Sequence, residues 1–296
     1  MSIDIGAAFS DGVDEFLSLK GAALAGIFFV VSILGSLATG SLILAFANRL
    51  EGQPDVTPEM IDQFRAQAQF GLDIGLGPSI GLLLVLGLVG ELARVVAIRS
   101  LADQSANSLL PRHYSNGLLE LFVYRVLTTI VVLILYGVLL LILFAPAALF
   151  APLALLIPLV AIPVLIYVAI ALYFAPIAVV VDEIGPLDAI SNAWSYAKGN
   201  RLNLVAIAIG VFIVSFVISA PNLLFSGVTD AGQLGADAIT ASPITVVAAG
   251  VFGSLSTVFT LAVATSTYLQ LSSDGNDGPN AGRSANADQF GTETEF

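Results

Sequence analysis

VLTTIVVLILYGVLLLILFAPAALFAPLALLIPLVAIPVLIYVAIALYFAPIAVVV, Val126 to Val181, contains no Asp, Glu, Lys, Arg, His, Asn or Gln. Its only polar side chains are Thr128, Thr129, Tyr136, Tyr167 and Tyr173. A membrane-spanning helix needs about 20 apolar residues, so the stretch is too long for one span and suits two. Pro146 and Pro152 bracket the expected turn. Backbone groups in lipid must be satisfied internally, which places that turn at an interface or against protein. The reading is an integral membrane protein.

Composition agrees. The hydrophobic fraction is 57% and the mean hydropathy +0.95, values of the membrane class. Without cysteine there are no disulfides, thiol nucleophiles or cysteine-bound metals. One histidine, His113, excludes a multi-histidine metal site within the chain. We expect no catalytic, cofactor-binding or metal residues. The net charge is −12 and lysine occurs only at Lys20 and Lys198. Such an acidic, lysine-poor surface of archaeal type suits a halophile, because the Debye length at molar salt is about 3 Å. No basic patch exists for nucleic acid.

The fold class expected is all-α: six spans arranged as three hairpins, each preceded by a cytoplasmic amphipathic helix. The spans are set at about 22–47, 74–98, 126–144, 153–181, 202–224 and 244–271, forming one membrane domain over 1–271. Residues 272–296 are polar, acidic and expected to be disordered. The first amphipathic helix, Ile3 to Lys20, carries Asp4, Asp11, Asp14 and Glu15, which rules out a signal peptide. Ile5, Phe9, Val13, Phe16 and Leu17 recur in it at helical spacing. The second runs from Tyr114 to Arg125. The third, Pro186 to Lys198, has Asp188 in its first turn, Lys198 in its last and Gly199 at C′, matching the helix dipole. Thr57-Pro58-Glu59 starts a short surface helix ending near Ala68.

Small residues recur in the spans. Ser32, Ser36 and Gly40 form one stripe, and Gly71/Gly75 and Gly77/Gly81 have G-x-x-x-G spacing. Close helix packing is the ordinary reading; a dimer seam or substrate path is the other. Glu91 and Arg94 share a helix face about 25 Å of rise beyond Ile74, which fits an interfacial ion pair.

Orientation follows from basic residues. With six spans, Lys20, Arg94, Arg99, Arg112, Arg125, Lys198, Arg201 and Arg283 share the side of both termini, against Arg49 and Arg65 opposite. Both termini are therefore expected in the cytoplasm, with the chain in the cell membrane. A repeat is also visible. Ala8-Phe9-Ser10-Asp11-Gly12-Val13 parallels Ala189-Ile190-Ser191-Asn192-Ala193-Trp194, each about a dozen residues before a span. The repeats share topology and are not inverted.

Tyr173-Phe174-Ala175-Pro176, then Ala189-Ile190, Trp194 and Lys198-Gly199-Asn200 before an apolar span carry a resemblance. The chain resembles six-helix prokaryotic membrane proteins related to the membrane domain of glycerophosphoryl diester phosphodiesterases. The topology matches over Ile3 to Leu271, the specific motif only over Tyr173 to Leu204. Ala193 stands where that group commonly has Ser. The resemblance implies a membrane module without the soluble catalytic domain, and it carries no activity over.

The leading functional reading is a non-enzymatic membrane module that interacts with lipid or protein, including a second copy of itself. The alternative is a transporter or channel for a small solute, although ion pathways place ionisable groups deep in the membrane and none lies deep here. An enzyme would need positioned acids and bases. The one cluster available is Glu91, Arg94, Arg99, His113, Glu120, Arg125, Asp182 and Glu183, read as a solvated, partly salt-bridged interface. Arg94, Arg99, Arg125, Trp194, Lys198 and Arg201 are the candidate lipid-headgroup residues.

Overall fold

The computed structural model describes residues 3–53, 56–68, 70–103, 117–149, 157–227 and 243–275. The expected turn at Pro152, the loop from 228 to 242, and Arg112, His113 and Arg283 lie outside them. The described chain is all-helical: α1 (Ile5–Leu17), α2 (Leu19–Leu50), α3 (Pro58–Gln67), α4 (Leu76–Ala102), α5 (Leu118–Leu149), α6 (Ile157–Tyr173), α7 (Ala175–Val181), α8 (Pro186–Gly227) and α9 (Pro243–Gly275). Six segments are long and apolar enough to cross a membrane, making this a polytopic membrane protein.

Local chemistry sets the breaks. Asp4 caps α1, its carboxylate accepting from Ala7 N–H at 3.0 Å. That helix ends at Leu17 rather than Lys20, because Ser18 serves both sides of the break. Its hydroxyl donates to the Glu15 carbonyl at 2.6 Å and accepts from Gly21 N–H at 3.1 Å. Thr57 caps α3 as read from sequence. α4 begins after Gly75, whose φ of +75° is a conformation only glycine adopts cheaply. Pro176 has no N–H to continue the preceding turn, and α6 stops at Tyr173 before α7 resumes.

Two expected boundaries shift. Residues 118–125 are the opening turns of α5 itself, not a separate surface helix. α9 runs past Leu271 into residues assigned to the polar tail, where Ser272 and Ser273 hydroxyls donate to the carbonyls of Leu269 and Gln270 at 3.1 and 2.9 Å. The third amphipathic helix joins its span through a kink at Asn200 (φ −125°, ψ 24°). Gly199 has no positive φ, so it does not act as the expected C′ stop. The Asn200 amide instead donates to the Tyr196 carbonyl at 3.5 Å.

α9 is the central span and packs on α1, α2, α4 and α8. The repeat is visible in burial: Ala8 and Gly12 in α1, and Ala189 and Ala193 in α8, all face the core. These are the corresponding positions of the two matching sequences, one helical turn apart. Phe9 and Phe16 of α1 meet Phe259 of α9 at 6.5 and 5.7 Å. In α5 the corresponding face is Leu121 and Arg125. Beyond Thr128, α5 turns outward, with Leu133 63% and Leu141 72% exposed; these surfaces suit lipid. Gly40 packs against Gly71, where a Cβ would lie 2.9 Å from Gly71 N. Gly77 and Gly81 meet no neighbouring atom, so that spacing builds no helix contact within the described chain.

Candidate functional site

The end of the bundle carrying α1 holds a set of polar groups. Glu91 of α4 accepts from Arg125 Nε at 2.8 Å and also pairs with Arg94. Arg125 is buried and donates through Nη1 to the Pro176 carbonyl at 2.8 Å. One guanidinium thus joins α4, α5 and the broken turn of α7. Arg99, also buried, pairs with Glu183, which adopts φ +56° in the turn after α7. Lys20 pairs with Glu15 at 3.1 Å and donates to the carbonyls of Ser100 and Asp103 at 3.2 and 2.9 Å, closing the C-terminus of α4. The loose interface expected from sequence is therefore a set of specific braces. Arg94, Arg99 and Arg125 are each engaged by a carboxylate; Arg99 and Arg125 are buried, whereas Arg94 remains exposed.

Tyr268 of α9 is fully buried against Phe174 and Tyr196, at ring distances of 6.3 and 5.9 Å, and its hydroxyl donates to Asp182. Sequence reading missed it: a lone tyrosine near a span end carries no distinguishing pattern. Burial pushes the Asp182 carboxyl above the usual carboxylate range, and the Tyr268 hydrogen bond opposes that shift. The folded protein then holds the Asp182 proton more tightly than the unfolded chain. Its stabilising contribution is full below the unfolded value of about 3.9 and is lost as pH rises through the folded value. Asp182→Asn is expected to flatten this decline in a pH series of thermal midpoints. Tyr268→Phe, which removes the donor, is expected to cost about 1–3 kcal/mol.

Among the described residues, two apolar spaces that lie between spans bear on function. One, of about 400 Å3, lies between α6, α8 and α9. Ile170, Phe174, Ile207, Ala208 and Ala264 line it, with Tyr173 and Phe212 also at its wall. Its polar walls are the Ser215–Thr260 hydroxyl pair, 3.2 Å apart across α8 and α9, together with Ser256 and Tyr173. Among the described residues, no carboxylate, amine or guanidinium lines it. Tyr173 is 45% and Phe212 69% exposed, so the space opens sideways, where lipid tails lie.

The second, of about 260 Å3, lies between α6 and the start of the α8 span, with Arg201 and Tyr167 in its wall. The Arg201 guanidinium sits 5.0 Å over the Tyr167 ring, and Trp194 meets that ring edge-on at 5.6 Å. Among the motif residues, Trp194 and Asn200 have defined contacts, whereas Lys198 is exposed and Gly199 open.

No curated protein and no solved structure matches the chain. A family model described as a domain of unknown function, DUF7847, matches residues 3–271. That span includes every described helix up to the end of the α9 core, and with it the braces and both apolar spaces, so the chain belongs to this family.

Proposed function

We propose that the protein is a non-enzymatic membrane module that binds lipid within its own fold. The space between α6, α8 and α9 carries this reading: it is apolar, opens sideways through Tyr173 and Phe212, and among the described residues has only hydroxyls as its polar lining. Such walls suit an acyl or isoprenoid chain and offer little to a hydrated ion or polar solute, which weighs against the transport alternative. Glu15, Glu91, Asp182 and Glu183 at the α1 end are engaged with cations or Tyr268, which supports a structural use over acid–base chemistry. Highly exposed leucines at the starts of the helices and at their junctions with the spans, Leu17, Leu19, Leu119, Leu187 and Leu202, suit seating that end in the lipid interface. A cytoplasmic position for both termini, a high-salt habitat and kinship with the phosphodiesterase-linked membrane domains belong to the same proposal, supported by basic-residue placement, acidic composition and the Trp194 to Asn200 motif.

The test is photolabelling in bilayers with a lipid carrying a diazirine in its tail. Label is expected to concentrate on peptides of α6, α8 and α9 around the cavity, and Ala208→Phe, which fills it, is expected to reduce that label severalfold. Labelling spread evenly over α5, with no effect of Ala208→Phe, would remove the basis of the proposal.

A further inference from the structure

We propose that Arg201 and Lys198 hold the phosphate of an anionic phospholipid whose tail enters the 260 Å3 space between α6 and α8. The inference rests on the lipid-binding reading and adds a second site with a stated headgroup. Its starting point is how the cations are used. At the α1 end, Lys20, Arg94, Arg99 and Arg125 are each paired with a carboxylate. Lys198 and Arg201 have no such pairing among the described residues. In a chain of net charge −12, two cations three residues apart and without carboxylate partners among the described residues offer an anion attraction rather than repulsion.

Arg201 is also prearranged. Its guanidinium lies on the Tyr167 ring, and Trp194 buttresses that ring from the side. A guanidinium held over a ring face by cation–π attraction keeps its charge and its N–H fork, the group that grips two phosphate oxygens. Lys198, one turn earlier and exposed, adds a second positive charge before the Asn200 kink. Trp194 and Tyr167 form an aromatic pair of the type that sits at headgroup level.

The space beside this pair is apolar. Arg201 and Tyr167 stand in its wall with Pro163, Ile166, Ile170 and Val205. A cation beside a hydrocarbon slot matches a molecule with a phosphate joined to a chain. It does not match a soluble phosphate ester, which would leave the slot unfilled, nor a neutral lipid, which would leave the charge unanswered.

Native mass spectrometry of the full-length protein, titrated with phosphatidylglycerol or phosphatidylcholine of identical tails, tests this. Wild type is expected to retain phosphatidylglycerol preferentially. Arg201→Gln and Lys198→Gln are each expected to lower that retention about fivefold, and Tyr167→Leu, which removes the platform, to lower it in the same direction. Arg65→Gln, at the opposite end, is expected to have no effect. All four changes lie at partly or fully exposed side chains, and an unchanged thermal midpoint verifies folding. Glycerol 3-phosphate is expected not to displace the lipid. Equal retention of the two lipids, indifferent to Arg201→Gln, overturns the headgroup site while leaving tail binding at the α6–α8–α9 space intact. Displacement by glycerol 3-phosphate overturns it in favour of a soluble phosphate ester. Loss of tail labelling alone, with phosphatidylglycerol preference retained, overturns the first reading and not this one.

Discussion

Gly12→Val is expected to separate α1 from the bundle and lower the thermal midpoint of the purified protein by several degrees. A Cβ at Gly12 would lie 2.7 Å from both Cα and Cγ2 of Val263, and 3.0 Å from its N. The obstacle is partly main chain of a central span, and Val263 is fully buried, so no side-chain rotation relieves it. Overpacking of a dense core costs about 1–3 kcal/mol and occasionally more, and this contact belongs at the upper end. Even Gly12→Ala meets the same atoms. Gly26→Ala is the matched control: it also lies in a helix, but its Cβ meets nothing within 4 Å, and it is expected to be tolerated. Equal midpoints for the two variants would show that α1 is not packed on α9 as described.

Arg125→Met is expected to be the most damaging single change at the polar end, costing about 3–5 kcal/mol, the range for breaking a buried ion pair. It strips Glu91 of its buried partner and leaves the Pro176 carbonyl without its side-chain donor at the break between α6 and α7. Glu91→Met is expected to be nearly as costly, since it leaves the Arg125 charge buried without a carboxylate. The double variant should lose much less than the sum, because two apolar side chains remove the uncompensated charge together. Thermal midpoints of the four proteins measure the coupling. Strict additivity would mean that the two residues act independently and that the α4–α5–α7 brace does not exist.

The two experiments separate layers of the fold. Gly12 tests how the first repeat docks on α9, and Arg125 tests how the second hairpin is fastened to the rest. Hairpin two is fastened unevenly: past Thr128 the side chains of α5 face outward, while α7 at the other end of the hairpin is packed tightly through Ile177, Ala178, Val179 and Val180.

Much of the architecture was determined by the sequence alone. A charge-free stretch from Val126 to Val181 can only be satisfied as helix in an apolar solvent, so six spans and their order were legible from hydropathy. So were local caps such as Thr57 at α3, because a cap depends on neighbours within four residues. The sequence places a helix stop at Gly199, whereas the helix continues through a kink at Asn200, since glycine permits a stop without requiring one. Tertiary structure decided which charges are used up. Arg94, Arg99, Arg125, Lys198 and Arg201 look alike as basic residues near span ends. Arg125 finds Glu91 on another helix, Arg94 finds the same Glu91 on its own, and the pairing of Arg99 with Glu183 joins residues far apart in the chain, while Lys198 and Arg201 have no such pairing among the described residues. Likewise the closure of Tyr268 on Asp182, and the contrast between a packed Gly40–Gly71 approach and an open Gly77 and Gly81, depend on which faces meet. Hydropathy reports whether a segment prefers lipid to water, but not which neighbour it packs against. In a membrane, where lipid and protein are almost equally apolar, that choice is made by small-residue fit and hydrogen bonding.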